Sequence, residues 1–257
     1  MKRTLQALAS PKRIFSAIKN ASSDLEIMLY DQIGYDFWTG GGATAKDLAD
    51  QLKAAGTVNR IVLRINSPGG DVFEGAAMFN LLAQSQIPVD VIVDGLAASA
   101  ASYIAMVGQT VTMGQGAMMM IHNPWSIEMG DANALRKMAD TLDKVRDSML
   151  SGYMNKYKGS QDELKALLDA ETWLTSQDAV DQGFADQIAA PPAKADDKDK
   201  AKALARIFDL SQYKNTPADL KPLAKIELPA QPVPSFADEA ELASDVRSRM
   251  LRLAELA

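Results

Sequence analysis

What most constrains this chain is a rhythm. From residue 24 onward, apolar runs alternate with stretches whose apolar positions recur at helical spacing. "LEIMLYDQI", "RIVLRINSPGG" and "VDVIVDG" read as strands, the second ending in a turn. Between and after them come "TAKDLADQLKAAG", an amphipathic helix stopped at Gly56, then "FEGAAMFNLLAQS" and the short apolar helix "SAASYIAMVG" closing at Gly108. "VTMGQGAMMMIH" supplies further strand, and residues 132–157 a long helix with heptad-like apolar spacing. "WLT" is a last strand, followed by a helix with Thr175 as N-cap, Asp178 three residues on and Gly183 as its stop. Strands alternating with helices in this way predict an α/β domain.

The rhythm occupies residues 24–190, and the composition changes on both sides of it. Residues 1–23 are basic, with no acidic residue before Asp24, and Lys12 and Arg13 interrupt the apolar positions. No continuous hydrophobic region of signal-peptide type results, so these residues read as a mobile or partner-contacting arm. From residue 191 to 257 the chain reads as a linker, "AAPPAKADDKDKAKA", and a C-terminal extension ending in a plausible amphipathic helix. That extension suits scaffolding or docking.

Composition then removes whole classes of chemistry. The 257 residues hold no cysteine and a single histidine, with a net charge of −6. Disulfides, thiolate nucleophiles and cysteine-based zinc sites are excluded together, which fits a reducing cytoplasm. The acidic balance speaks against a general nucleic-acid binder. The longest small or apolar run, residues 95–108, is too short to span a bilayer, so no membrane partner is expected.

Each strand ends in something odd. "NSPGG" at residues 66–70 offers adjacent glycines whose backbone N–H groups can approach a ligand closely, although most Pro-Gly pairs are simply turns. "VDGLAASAAS" places Ser99 at the start of a helix, where unpaired N–H groups and the helix dipole can stabilise a developing oxyanion. Small residues there are also common packing. His122, in "MMMIHNPW", would more often be a satisfied core residue than a catalyst; yet any serine mechanism with an imidazole base must use it, because no other histidine exists. Such a base needs an orienting carboxylate, and "LLDAETWLTS" offers Asp169 and Glu171, both otherwise ordinary surface acids.

In order and spacing, "INSPGG", "GLAAS", "MMIHNP" and the acid before "WLTSQDAVDQGFAD" resemble the Clp-type serine peptidase family (peptidase family S14) over residues 24–190. The resemblance implies the ClpP/crotonase-like spiral of ββα units. By position it implies Ser99 as nucleophile, His122 as general base, and Gly70 and Ala100 as oxyanion-hole donors. Ser102 has no counterpart as nucleophile and reads as packing. The family's usual aspartate falls on Glu171, one methylene longer, with Asp169 as the alternative if the strand begins earlier. The chain is most similar to the phage and prophage branch, the ClpP-like head maturation proteases. That branch implies cleavage of capsid, scaffold or portal proteins, inside the bacterial host cytoplasm or the assembling prohead.

A homo-oligomer is expected, and with no Walker loop any ATP-driven unfolding would come from a separate ATPase. No cofactor and no metal site is implied. The rival readings are a housekeeping-type ClpP subunit, a crotonase-type acyl-CoA hydratase or isomerase, a Ser-Lys peptidase, and a catalytically silent assembly protein.

Overall fold

The computed structural model describes residues 14–20, 23–35, 41–190 and 208–220. The first 13 residues of the arm, the linker at 191–207 and the extension at 221–257, with its expected helix, lie outside them.

Strands β1 (Ile14–Lys19), β2 (Asp24–Tyr30), β3 (Arg60–Ser67), β4 (Val89–Ala98) and β5 (Thr110–Met113) lie side by side in that order. Two further strands, β6 (Met118–Ile121) and β7 (Thr172–Thr175), branch from β4, and β8 (Gln187–Ile188) closes the far edge beside β5. The helices are α1 (Ala45–Ala55), α2 (Val72–Gln84), α3 (Ala100–Ala105), α4 (Ala132–Met154), α5 (Gln161–Asp169) and α6 (Ser176–Gln182). Every strand pair is parallel except β1–β2 and β6–β7. Parallel neighbours need a crossover, and α1 and α2 supply the first two.

Local chemistry sets the boundaries. Thr44 and Asp47 form a reciprocal capping box at the start of α1, and Gly56 stops it at φ 63°. Asp71 accepts the N–H groups of Phe73 and Glu74 and so starts α2 directly after the glycine pair. Thr175 and Asp178 repeat the capping box at α6, which ends at Gly183 in the left-handed region, as the sequence predicts.

Alternation along β2, β3 and β4 buries Leu25, Ile27, Leu29, Ile61, Leu63, Ile65, Val89, Val91 and Val93 in one core. Each such side chain stabilises the fold by roughly 1.5–3 kcal/mol. The next residues face the other way and are partly polar; there Arg64 pairs with Asp94, which also accepts the Tyr30 hydroxyl at 2.6 Å.

Part of the expected arm belongs to the sheet. Residues 14–19 form β1, antiparallel to β2 from Ile14↔Tyr30 to Lys19↔Leu25. Basic flanks conceal this in the sequence, yet Lys19 is not merely solvated. Its ammonium donates to the carbonyls of Ala55 (3.2 Å) and Thr57 (2.7 Å), at the C-terminus of α1, where cations are favoured.

The functional consequence lies in β4. Its first half pairs with β5 over Asp90–Val93, its second half with β6 over Leu96–Ala98. The β3–β4 register shifts between Ile65 and Ser67. The strands therefore diverge at their carboxyl ends, where open α/β sheets hold ligands.

Candidate active site

Ser99 occupies the turn between β4 and α3 with φ 54° and ψ −126°. A non-glycine residue pays roughly 1–3 kcal/mol for such a conformation, and it persists only where the surroundings hold it. Here the Ser99 N–H donates to the Met120 carbonyl at 2.9 Å, and its own carbonyl accepts the Ser102 N–H at 2.9 Å. The result is a sharp strand-to-helix elbow that lifts the hydroxyl clear of the sheet. The small neighbours Ala97, Ala98, Ala100 and Ala101 are all buried.

Parallel pairing brings the histidine alongside. Ala98 is level with Met120, so the chain leaves β6 at His122 on the same end of the sheet as Ser99. His122 Nε2 and Ser99 Oγ are 2.8 Å apart, a hydrogen bond in which the hydroxyl donates when the imidazole proton sits on Nδ1. Burial holds the His122 pKa below the usual 6.5, with Lys214 acting in the same direction and Glu171 opposing both.

Antiparallel pairing then brings the expected acid level with the histidine. Ile121 is level with Thr172, so one residue outward on each strand stand His122 and Glu171. Glu171 follows the C-terminus of α5 with φ 49°, a position that usually carries glycine. Of the four non-glycine residues at positive φ among those described (Ser23, Gln86, Ser99 and Glu171), two are thus the expected nucleophile and acid. Asp169 is engaged elsewhere: it is the last residue of α5, and its Oδ1 accepts the Asn123 side-chain amide at 2.6 Å.

Among the described residues no hydrogen bond joins Glu171 to His122; the carboxylate is held from another direction. Its Oε2 accepts the backbone N–H of Lys214 at 3.0 Å, and its Oε1 that of Asn215 at 2.6 Å, with Trp173 Nε1 at 3.4 Å.

The glycine pair closes the other side. Gly70 bridges Ile33 through its neighbours: the Ile33 N–H donates to the Gly69 carbonyl at 2.8 Å, and the Asp71 N–H donates to the Ile33 carbonyl at 2.9 Å. That bridge leaves the Gly70 N–H over, and Ala100, the first residue of α3, has no intrahelical acceptor for its own. Both residues line one cleft of about 510 Å³ together with Ser99 and His122. Ser102 points away. It is fully buried, its hydroxyl donates to the Ser99 carbonyl at 2.6 Å, and it therefore accepts from the Tyr153 hydroxyl at 2.8 Å.

Residues 208–220, read in the sequence only as part of the linker and extension, also reach this site. Tyr213 lines the same cleft, and its ring meets His122 edge-on with centroids 5.3 Å apart. The only cue in the sequence was a few apolar and aromatic residues after the linker, with no helical or strand period.

Known proteins are similar to this chain in sequence. The aligned part of an ATP-dependent Clp protease proteolytic subunit 1 from Protochlamydia amoebophila (strain UWE25) is 29% identical over 133 residues, 50% of this chain and 64% of the relative. For an ATP-dependent Clp protease proteolytic subunit from Nephroselmis olivacea the figures are 29% over 139 residues, 52% of this chain and 65% of the relative. The chain thus aligns with a little under two thirds of the length of each. The family model for Clp protease matches residues 13–192, which include Gly70, Ser99, His122 and Glu171 and make up well over half of the 257. A match of that extent makes this chain a member of the Clp protease family.

Proposed function

We propose that the protein is a serine-type endopeptidase in which Ser99 is the nucleophile, His122 the general base and Glu171 the acid of the triad, acting on His122 through its charge rather than through a hydrogen bond. The observation that carries this reading is the 2.8 Å hydrogen bond between His122 Nε2 and Ser99 Oγ on a strained elbow. Ser99 Oγ attacks the peptide carbonyl carbon as its proton passes to His122 Nε2. The carbonyl oxygen becomes an oxyanion, received by the N–H groups of Gly70 and Ala100. His122 returns the proton to the leaving amine as the C–N bond breaks, which leaves an acyl ester on Ser99. Water then adds to the ester with the same assistance, releasing the acid and restoring the Ser99 hydroxyl. The depressed pKa of His122 suits the first step, since it keeps the base neutral near pH 7.

The substrate side of the proposal has two parts. The protein works as a homo-oligomer: Ile127, Met129 and Leu135, beside and at the start of α4, are 82%, 90% and 48% exposed, three large apolar side chains within nine residues that a second subunit would cover. Its substrates are capsid, scaffold or portal proteins cleaved during phage head maturation in the host cytoplasm or the prohead; the motif wording and the extra residues on both sides of the 24–190 domain support this. A second reading, a subunit served by a separate ATPase, is favoured by the words "ATP-dependent" in the names of both relatives.

The test is hydrolysis of unstructured protein and of fluorogenic peptides by the full chain, beside the Ser99→Ala variant. Turnover by the wild type and none by Ser99→Ala is expected. Turnover of acyl-CoA with peptides ignored would overturn the reading. Co-expression with neighbouring structural genes, with cut ends mapped by mass spectrometry, separates the two substrate readings: head proteins cut without an ATPase favour the first.

A further inference from the structure

Residues 208–220 lie outside the span matched to the family, yet they have a built seat at the carboxyl end of the sheet. Leu210, Tyr213 and Leu220 pack with Leu96 and Ala98 of β4 and Met120 of β6, and Phe208 and Trp173 flank them. Leu210 and Leu220 are 1% and 0% exposed, so the segment is anchored on both sides of Tyr213. It also holds its own shape: the Ser211 N–H donates to the Asp209 carboxylate at 2.9 Å, and the Thr216 hydroxyl donates to the Leu210 carbonyl at 3.1 Å.

From this seat the segment touches three parts of the site at once. The backbone N–H groups of Lys214 and Asn215 occupy one oxygen each of the Glu171 carboxylate, and the Asn215 amide donates to the Ala170 carbonyl at 2.8 Å. Hydrogen bonds to an ionised carboxylate are among the stronger ones, and two donors fixed in one backbone set both its position and its plane. The Tyr213 ring lies edge-on to His122 and to Trp173, with centroids 5.3 Å and 6.0 Å away. The Tyr213 hydroxyl donates to the carbonyl of Pro68, in the loop that carries Gly70. Burial pushes that phenol up to about 12, so it remains a donor at any working pH.

We propose that residues 208–220 are a working part of the catalytic site, with Tyr213 as a positioning residue that holds His122 and the oxyanion loop in mutual register while the backbone of 214–215 holds Glu171. The inference rests on the triad reading above and deepens it. Sheet pairing fixes only the backbone of these residues, whereas catalysis depends on their side chains. Glu171, one methylene longer than an aspartate, has an additional torsion to restrain, and the His122 ring needs a neighbour to pack against. The segment does both. The competing arrangement, a plug that must leave before substrate enters, makes the opposite prediction for every variant below.

The experiment uses the full chain and measures the rate at which a fluorophosphonate labels Ser99, together with kcat, KM and the pH profile on a fluorogenic peptide. Tyr213→Phe keeps the ring and loses the bond to Pro68; it should label about tenfold more slowly with KM unchanged. Tyr213→Ala uncovers His122 and should cost about 10²-fold. It should also move the acid limb of kcat/KM upward, as the imidazole regains water while Glu171 and Lys214 remain beside it. Destabilisation elsewhere in the fold would not produce that shift in limb, and Tyr213→Phe should not show it. Variants that label as fast as the wild type, or faster, overturn the inference and leave the triad standing. A wild type with no label at Ser99 overturns both.

Discussion

Replacing Gly69 by alanine tests how tightly the glycine pair and the nucleophile are fitted together. Gly69 has φ +90°, so any side chain there carries the left-handed penalty of about 1–2 kcal/mol. The new Cβ would stand 2.6 Å from the Ala98 carbonyl oxygen, 2.7 Å from Ser99 Cβ and 3.1 Å from the Ala100 nitrogen. All three belong to the β4–α3 elbow rather than to a flexible side-chain end, so the strain falls on the loop or on the elbow. Overpacking of this kind costs about 1–3 kcal/mol more, giving roughly 2–5 kcal/mol in total. The catalytic effect should be larger than stability alone explains, because the displaced loop carries the Gly70 N–H; losing one oxyanion donor costs about 10²–10³ in rate. The assay pairs urea unfolding with the rate of Ser99 labelling under conditions where the variant is folded. Gly56→Ala is the control, since Gly56 also has positive φ (63°) but has nothing within 4 Å of the added Cβ. It should lose about 1–3 kcal/mol and keep its labelling rate. A Gly69→Ala protein with wild-type stability and wild-type labelling would refute the packing argument.

Other consequences are equally direct. His122 must be neutral to accept the Ser99 proton, and its pKa lies below 6.5, so the acid limb of kcat/KM should fall below that pH. Lys214→Ala, which removes a cation that lowers this pKa, should move the limb upward, and Glu171→Gln should move it downward; pH–rate profiles measure both. Glu171→Ala should cost on the order of 10³–10⁴ in kcat, while Asp169→Ala, which releases Asn123 and a charge near Arg146, should stay within about tenfold. Ser102→Ala should leave Ser99 labelled and lower stability by about 1–3 kcal/mol in urea unfolding, because it strips the buried Tyr153 hydroxyl of its acceptor.

Much of the fold and part of the candidate site were legible because they rest on local chemistry. The Thr175–Asp178 box, the stops at Gly56 and Gly183 and the alternation of β2 to β4 depend on residues a few positions apart. So does the setting of Ser99, a small-residue elbow after an apolar strand. The pairing of Ser99 with His122 is nonlocal, but one histidine in the whole chain left a single base to consider. The two candidate acids were harder to separate, because Asp169 and Glu171 differ only in where a helix ends. With α5 running through Asp169, that side chain turns to Asn123, and Glu171 falls on the corner level with His122. Two things were not legible. β1 was hidden by basic flanks, and its pairing with β2 is a tertiary matter. The seat of 208–220 depends on an apolar patch formed by Leu96, Ala98 and Met120, which no pattern within 208–220 announces.

The claim on which the rest depends is that His122 activates Ser99 and no other hydroxyl. Peptide mapping of the full chain after fluorophosphonate treatment measures this directly, beside the Ser99→Ala and His122→Ala variants. We expect one adduct on the wild type, on the peptide containing Ser99, and none on either variant. An adduct on Ser102, or labelling that survives the loss of His122, would contradict it.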